Sequence, residues 1–81
     1  MNEAAWREDM KSNGVTVKLH SYFNGTVPEP PWFPPCRVAL YEVAVSDKLT
    51  LFVVWKNDER VYTDVYFDSA YDWYESEVEN L

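Results

Sequence analysis

The chain has 81 residues, a formal net charge of −7 and an aromatic content of 17%. This length suits one domain with one small core, and a hydrophobic content of 47% is too high for a disordered acidic tail. The acidic composition disfavours direct binding to nucleic acid or anionic membranes, and no apolar run approaches the roughly 18 residues of a membrane-spanning helix.

The first quarter of the chain predicts a helix followed by a strand. Asn2 is a typical N-cap, Gly14 suits the position after a helix end, and Trp6 and Met10 lie four residues apart on one helical face. Over residues 15–23 apolar and polar side chains alternate with a period of two, which predicts a strand.

An extended loop is predicted over residues 24–36. All five prolines of the chain lie in this stretch, and proline both lacks an amide donor and favours extended geometry in its neighbours. Trp32 and Phe33, in the middle of the loop, are interpreted as anchors on the body of the domain, or as an exposed apolar contact if they remain uncovered.

Three strands and a helix follow. The segments are 37–46, 49–56 and 60–67 for the strands and 69–81 for the helix, with Asp68 or Ser69 as its N-cap. The second of these strands is almost continuously apolar, which predicts a central strand covered on both faces. The order α-β-β-β-β-α predicts an α+β fold, a single small domain (1–81) in which a terminal helix flanks each end of a four-stranded antiparallel meander.

The negative charge is concentrated at the C-terminal end of the chain. Residues 58–81 contain eight acids and one base, whereas residues 1–57 contain six of each. Four acids spaced 4, 3 and 4 residues apart fall on one face of the predicted helix, within about 60° at 3.6 residues per turn. This acidic ridge consists of Asp68, Asp72, Glu75 and Glu79.

The preceding strand is predicted to extend the ridge. Tyr62, Asp64 and Tyr66 share one face of that strand, and Tyr is enriched in protein interfaces. Two interpretations of this surface are open. It is either a solvated face that maintains solubility, or a docking surface whose ordered negative charges steer a basic partner.

The chain carries no motif that identifies a reaction. His20 and Cys36 are the only residues of their types, so neither a zinc site nor a disulfide is expected, and a reducing cytoplasm is the expected location. A Cys36–His20 dyad requires a proximity that the sequence does not show. No cofactor is expected, because the chain lacks a glycine-rich phosphate loop and the ligand spacing of a calcium loop.

These observations favour a non-enzymatic protein that binds and inhibits a basic partner protein, of which nucleic-acid-binding proteins are one class. Small inhibitors of this kind include phage counter-defence and anti-CRISPR-like proteins, nuclease inhibitors and immunity proteins, and a nucleic-acid mimic is one form they take. The alternative is a structural module, in the simplest case a homodimer, that associates through Trp32, Phe33 and an edge strand.

Overall fold

The computed structural model describes residues 2–25 and 36–80. Its elements follow one another along the chain as α1 (Glu3–Ser12), β1 (Thr16–Gly25), β2 (Cys36–Ser46), β3 (Leu49–Lys56), β4 (Glu59–Asp64) and α2 (Phe67–Glu79). The strands form one open antiparallel sheet in the order β1-β2-β3-β4. The predicted α+β fold, a four-stranded meander between two terminal helices, is therefore confirmed.

The β1–β2 connection differs from the predicted loop at both ends. Asn24 pairs with Arg37 and Gly25 with Cys36, so both strands extend into the range predicted as loop. Trp32 and Phe33 lie outside the described residues, and the interpretations that rest on them stay predictions.

The N-terminal helix begins and ends as predicted. The Asn2 side chain accepts a hydrogen bond from the Ala5 amide at 2.8 Å, and Gly14 adopts a φ of 76° just after the helix. Glycine adopts this left-handed conformation without the steric cost of a Cβ atom, which allows the chain to reverse into β1. Trp6 anchors α1 on the sheet, with its ring centroid 5.3 Å from those of Tyr41 and Trp55.

The two helices pack on opposite faces of the sheet. Along β2, Ala39, Tyr41 and Val43 belong to the cluster around Trp6 of α1. Val38 and Leu40 alternate with them and belong to the cluster around Ala70 and Tyr74 of α2. β3 contributes residues to both clusters, as its apolar run predicts for a covered central strand. The result is a three-layer arrangement with a small core on each side of the sheet.

A tight turn connects β3 to β4. Asn57 and Asp58 have φ values of 50° and 66°, which is the left-handed pair of a type I′ hairpin turn. The turn is tied to β2, because the Arg37 amide donates to the Asn57 side chain at 2.9 Å and the Arg37 guanidinium lies 3.4 Å from Asp58.

Two bulges change the side-chain alternation that the sequence predicts. The pairing skips His20 in β1, so that Leu19 lies opposite Tyr41 and Ser21 opposite Leu40. Tyr22 therefore lies on the α1 face, and Ser21 and Phe23 lie on the α2 face. The pairing also skips Val61 in β4, and both Val61 and Tyr62 consequently pack against the α2 cluster.

The last strand is shorter than predicted, and the last helix begins earlier. β4 ends at Asp64, α2 begins at Phe67, and the N-cap is Tyr66, not Asp68 or Ser69. The cause is Asp64, whose carboxylate accepts a hydrogen bond from the Tyr66 amide at 3.0 Å. This turn diverts the backbone from the sheet two residues before the helix. Phe67, predicted as a strand residue, is instead the first residue of α2, and its ring packs against that of Phe52 in β3.

Candidate binding surface

All four residues of the acidic ridge are exposed on α2. Asp68 lies in the first helical turn and Glu79 is the last helical residue, so the ridge extends over about 16 Å of helix axis at 1.5 Å per residue. The sequence prediction placed these carboxylates on one helical face, and the helix of the structure holds them there.

Within the part of the chain that the structure describes, the carboxylates of the ridge have no cationic partner. None of the four forms an ion pair with another side chain of residues 2–25 or 36–80. By contrast, Glu77 on the same helix lies 2.8 Å from the ammonium of Lys56, on the flank that faces the sheet. The fold therefore pairs the acid that approaches the sheet and leaves the outward acids available.

Glu75 is held by its neighbour on the preceding turn. A hydrogen bond to Glu75, followed by its negative charge, raises the pKa of the Tyr71 hydroxyl above its usual value. Tyr71 in turn stacks on Phe67, with ring centroids 5.5 Å apart. One carboxylate of the ridge thus lies beside an aromatic residue that is itself packed on the core.

Asp64 has an intramolecular role in the structure. Its carboxylate accepts hydrogen bonds from the Tyr62 hydroxyl and the Tyr66 amide. These hydrogen bonds lower the pKa of Asp64 below its usual value, and the bond from Tyr62 contributes most. The same bond raises the pKa of the Tyr62 hydroxyl. Asp64 is therefore occupied in shaping the junction between β4 and α2.

Tyr62, Asp64 and Tyr66 do not continue the acidic ridge. Tyr62 stacks on Trp73, with ring centroids 4.6 Å apart and planes inclined by 3°. On a helical wheel Trp73 lies about 130° from the centre of the ridge, at roughly 100° per residue. The predicted strand residues thus lie on the opposite flank of α2.

Trp73 and Tyr66 form an aromatic flank on the other side of α2 from the acidic ridge. Trp73 is 42% exposed and Tyr66 is 69% exposed, although both belong to residue types that are usually more buried. The exposed serines Ser69 and Ser76 separate the two flanks on the outward side of α2. The exposure of Trp73 was not predicted from the sequence, where Trp73 lies at the margin of the apolar side of the helical wheel of α2.

The remaining candidate residues are not brought together. His20 packs against Phe67 at 4.7 Å and its Nδ1 lies 3.0 Å from the Ser21 hydroxyl. Cys36 pairs with Gly25, which lies five residues, or about 16 Å at 3.3 Å per residue, along β1 from His20. Among the described residues no group of three or more His, Cys, Asp or Glu side chains is arranged to hold a metal ion.

Comparison with known proteins gives no assignment. No protein-family model matches the chain, and no curated protein or solved structure shows significant similarity to it. Within the described residues, neither helix has the length and hydropathy needed to cross a membrane.

Proposed function

We propose that this protein is a non-enzymatic, cytoplasmic binding module that docks the outward face of α2 on a basic protein and inhibits it. The observation that carries the proposal is the set of four exposed carboxylates, aligned along one helix and without cationic partners among the described residues.

The alignment is energetically unfavourable for the free protein. Like charges three or four residues apart destabilise a helix by about 0.2–0.5 kcal/mol per pair, and the ridge contains three such pairs. No basic residue lies in the last turn of α2 to offset the helix dipole. Solubility requires acids on the surface but does not require that they be aligned, whereas binding to a basic groove does.

The aromatic flank supports binding over simple solvation. Tyr and Trp frequently dominate the energetics of protein interfaces, because they bury a large area with little loss of side-chain entropy. Trp73 is already fixed by its stack on Tyr62, so a partner would meet a rigid surface. A protein that covers α2 would therefore contact charge on one flank and aromatic area on the other.

The spacing of the ridge suggests which basic proteins it would fit. Successive carboxylates advance along the helix by about 4.5–6 Å, which is of the order of the phosphate spacing along a nucleic-acid strand. The proposed partner is thus a protein with a nucleic-acid-binding groove, and the proposed mode of inhibition is occupation of that groove. Viral inhibitors of host nucleases are one biological class with this mode of action.

A pair of charge-matched variants tests the proposal. In the ridge variant, Asp72, Glu75 and Glu79 are all changed to Lys. The control variant changes three exposed acids outside α2 to Lys and therefore alters the net charge by the same amount. These acids are Asp9, Asp47 and Glu59. Each variant and the wild type is immobilised, exposed to lysate of the native host and eluted with a salt gradient, and the retained proteins are identified by mass spectrometry.

A specific partner is expected to bind the wild type and the control and to be lost from the ridge variant. The purified partner should also lose activity when the wild type is added, and regain it when the ridge variant replaces the wild type. Retention of the same proteins by both variants would contradict the proposal, as would binding that does not weaken with increasing salt.

Association of two copies is the second candidate. Leu19 and Tyr22 of the edge strand β1 are each 48% exposed on the α1 face of the sheet. If they mediate a homodimer, light scattering will show a mass that rises with concentration and falls when both are changed to Ser. A monomer at all concentrations excludes this candidate.

A further inference from the structure

A groove of about 640 Å³ lies between α1 and the beginning of β1. Ala4, Arg7 and Lys11 form its helical wall, and Val15 and Val17 contribute apolar surface on the strand side. The groove lies on the side of the molecule that carries α1, away from the acidic ridge of α2.

The strand wall of this groove is an edge of the sheet. β1 pairs with β2 along one side only, and none of the other strands in the described part of the chain pairs with its second side. Such an edge presents unpaired amide and carbonyl groups, to which an extended peptide can add as a further strand. The regular segment before the bulge at His20 covers residues 16–19, enough to pair with a short peptide.

The helical wall of the groove is cationic. The Arg7 guanidinium lies over the Tyr41 ring, 5.9 Å from its centroid. Glu3, four residues before Arg7, accepts the hydroxyl hydrogen bond of Tyr41. Neither Arg7 nor Lys11 forms an ion pair with another described residue.

One acid also lines the groove. Glu8 lies roughly 160° from the core-facing Trp6 on a helical wheel with about 100° per residue, so it belongs to the outer rim. On the same wheel Arg7 and Lys11 lie about 100° and 140° from Trp6, and their separation along the helix is about 6 Å. Alternate residues of an extended peptide are about 6.6 Å apart, so two acidic side chains on the same face of a bound strand match this separation.

From this juxtaposition we propose that the α1–β1 groove binds an extended acidic peptide segment of a partner protein. The peptide adds as a strand to the outer edge of β1, and acidic side chains at alternate positions meet Arg7 and Lys11. This site is separate from the α2 surface and does not depend on its function.

Synthetic peptides test the proposal directly. The probe is a fluorescein-labelled octapeptide of alternating Glu and Thr, and the counter-probe contains Lys in place of every Glu. We expect the Glu peptide to bind the wild type, with amide shifts in NMR spectra at residues 14–19. R7E/K11E should weaken its binding at least tenfold and should bind the Lys peptide instead. K48E/R60E, the control with the same charge change elsewhere, should bind as the wild type does.

Backbone methylation of the probe tests strand addition. N-methyl groups on one alternate set of peptide residues should abolish binding, because those amides face β1, and N-methyl groups on the other set should be tolerated. The proposal would be overturned if both methylated peptides bound equally, or if R7E/K11E and K48E/R60E weakened binding equally. It would also be overturned if the Glu peptide did not bind at millimolar concentration. Binding that is lost in the α2 ridge variant would overturn it as well.

Discussion

A single carboxylate shapes the junction between β4 and α2. Asp64 accepts hydrogen bonds from the Tyr62 hydroxyl and the Tyr66 amide, ends β4 and sets the beginning of α2. The hydroxyl contact also fixes the Tyr62 ring on which Trp73 stacks. The exposed aromatic flank of α2 therefore depends on a residue that is not itself part of it.

We expect Tyr62→Phe to destabilise the protein at neutral pH while leaving the ring stack in place. The pKa of Asp64 is lowered in the folded state, chiefly by the Tyr62 hydroxyl. The stabilisation that results is present above the unfolded pKa of about 3.9 and is lost as the pH falls through the lower folded pKa. The urea midpoints of wild type and variant should therefore differ at neutral pH and converge under strong acid.

The double variant Tyr62→Phe/Asp64→Asn supplies the control for this experiment. If the Tyr62 hydroxyl acts through Asp64, Tyr62→Phe should lower the urea midpoint less in the Asp64→Asn background than in the wild-type background. The smaller effect in the Asp64→Asn background should not depend on pH. NMR titration should show the Asp64 pKa rising toward its usual value in Tyr62→Phe. An unchanged Asp64 pKa would refute this explanation.

Tyr41 is expected to make stability sensitive to alkaline pH. Burial, followed by the hydrogen bond to Glu3, raises the pKa of Tyr41 above its usual value. The stabilisation is present below the unfolded pKa of about 10 and decreases as the pH rises above it. Tyr41→Phe should lower the free energy of unfolding by about 1.5 kcal/mol near neutral pH, because it removes a hydrogen bond to a charged group. This difference in stability should become smaller at alkaline pH.

Urea unfolding at neutral pH and above about pH 10 measures this difference. Tyr66→Phe is the matched control, because Tyr66 is 69% exposed and removal of its hydroxyl should change neither midpoint appreciably. A Tyr41→Phe variant whose deficit persists unchanged in alkali would show that Tyr41 does not titrate differently in the folded state.

At the scale of elements, the order and type of each helix and strand could be predicted because each has a local signal. Asn2 and Gly14 delimit α1, and an uninterrupted apolar run marks β3. The N-terminus of α2 lacked such a signal, since its cap is a tyrosine without a side-chain hydrogen bond and is set by Asp64 of the preceding strand.

Face assignments were less predictable than the elements themselves. A strand alternates strictly in sequence only while its pairing is regular, and the bulges at His20 and Val61 depend on how neighbouring strands align. The four ridge residues could be placed on one exposed face from the sequence because they all lie within one helix. The extension of the ridge through Tyr62 and Tyr66 could not be predicted correctly, because it depended on the relative placement of a helix and a strand.

The two ends of α2 should respond differently to the same charge change. Glu79→Lys removes repulsion from Glu75 and places a cation at the negative end of the helix dipole, so it should stabilise the protein by about 0.5–1 kcal/mol. Asp68→Lys also relieves repulsion but removes a favourable acid from the first turn, and the two effects should nearly cancel. Urea midpoints at low salt measure both variants.

High salt is the internal control for this pair. At about 1 M salt the Debye length is about 3 Å, so the difference between Glu79→Lys and Asp68→Lys should largely disappear. Equal stabilisation by both variants at low salt would indicate that only the net charge of the protein matters and that position on the helix does not.

At the scale of the whole molecule, the excess negative charge belongs to one segment of the chain. Residues 58–81, which include β4 and α2, contain eight acids and one base, whereas residues 1–57, which include α1 and β1–β3, contain equal numbers of acids and bases. The acidic and aromatic face of α2 and the groove lined by Arg7 and Lys11 lie on opposite sides of the sheet, so the two proposed contacts do not overlap.

This distribution predicts opposite effects of salt on folding and on binding. Added salt screens the repulsion within the acidic ridge, so the melting temperature of the free protein should rise between about 0.01 M and 0.5 M NaCl. The same screening should weaken the complex with a basic partner, because the attraction is between exposed charges. The variant with Asp72, Glu75 and Glu79 changed to Lys should melt higher than wild type at low salt and respond less to added NaCl. The control with Asp9, Asp47 and Glu59 changed to Lys keeps the ridge intact and should retain most of the wild-type response. A melting temperature that responds to salt equally in all three proteins would contradict an origin of the effect in the ridge.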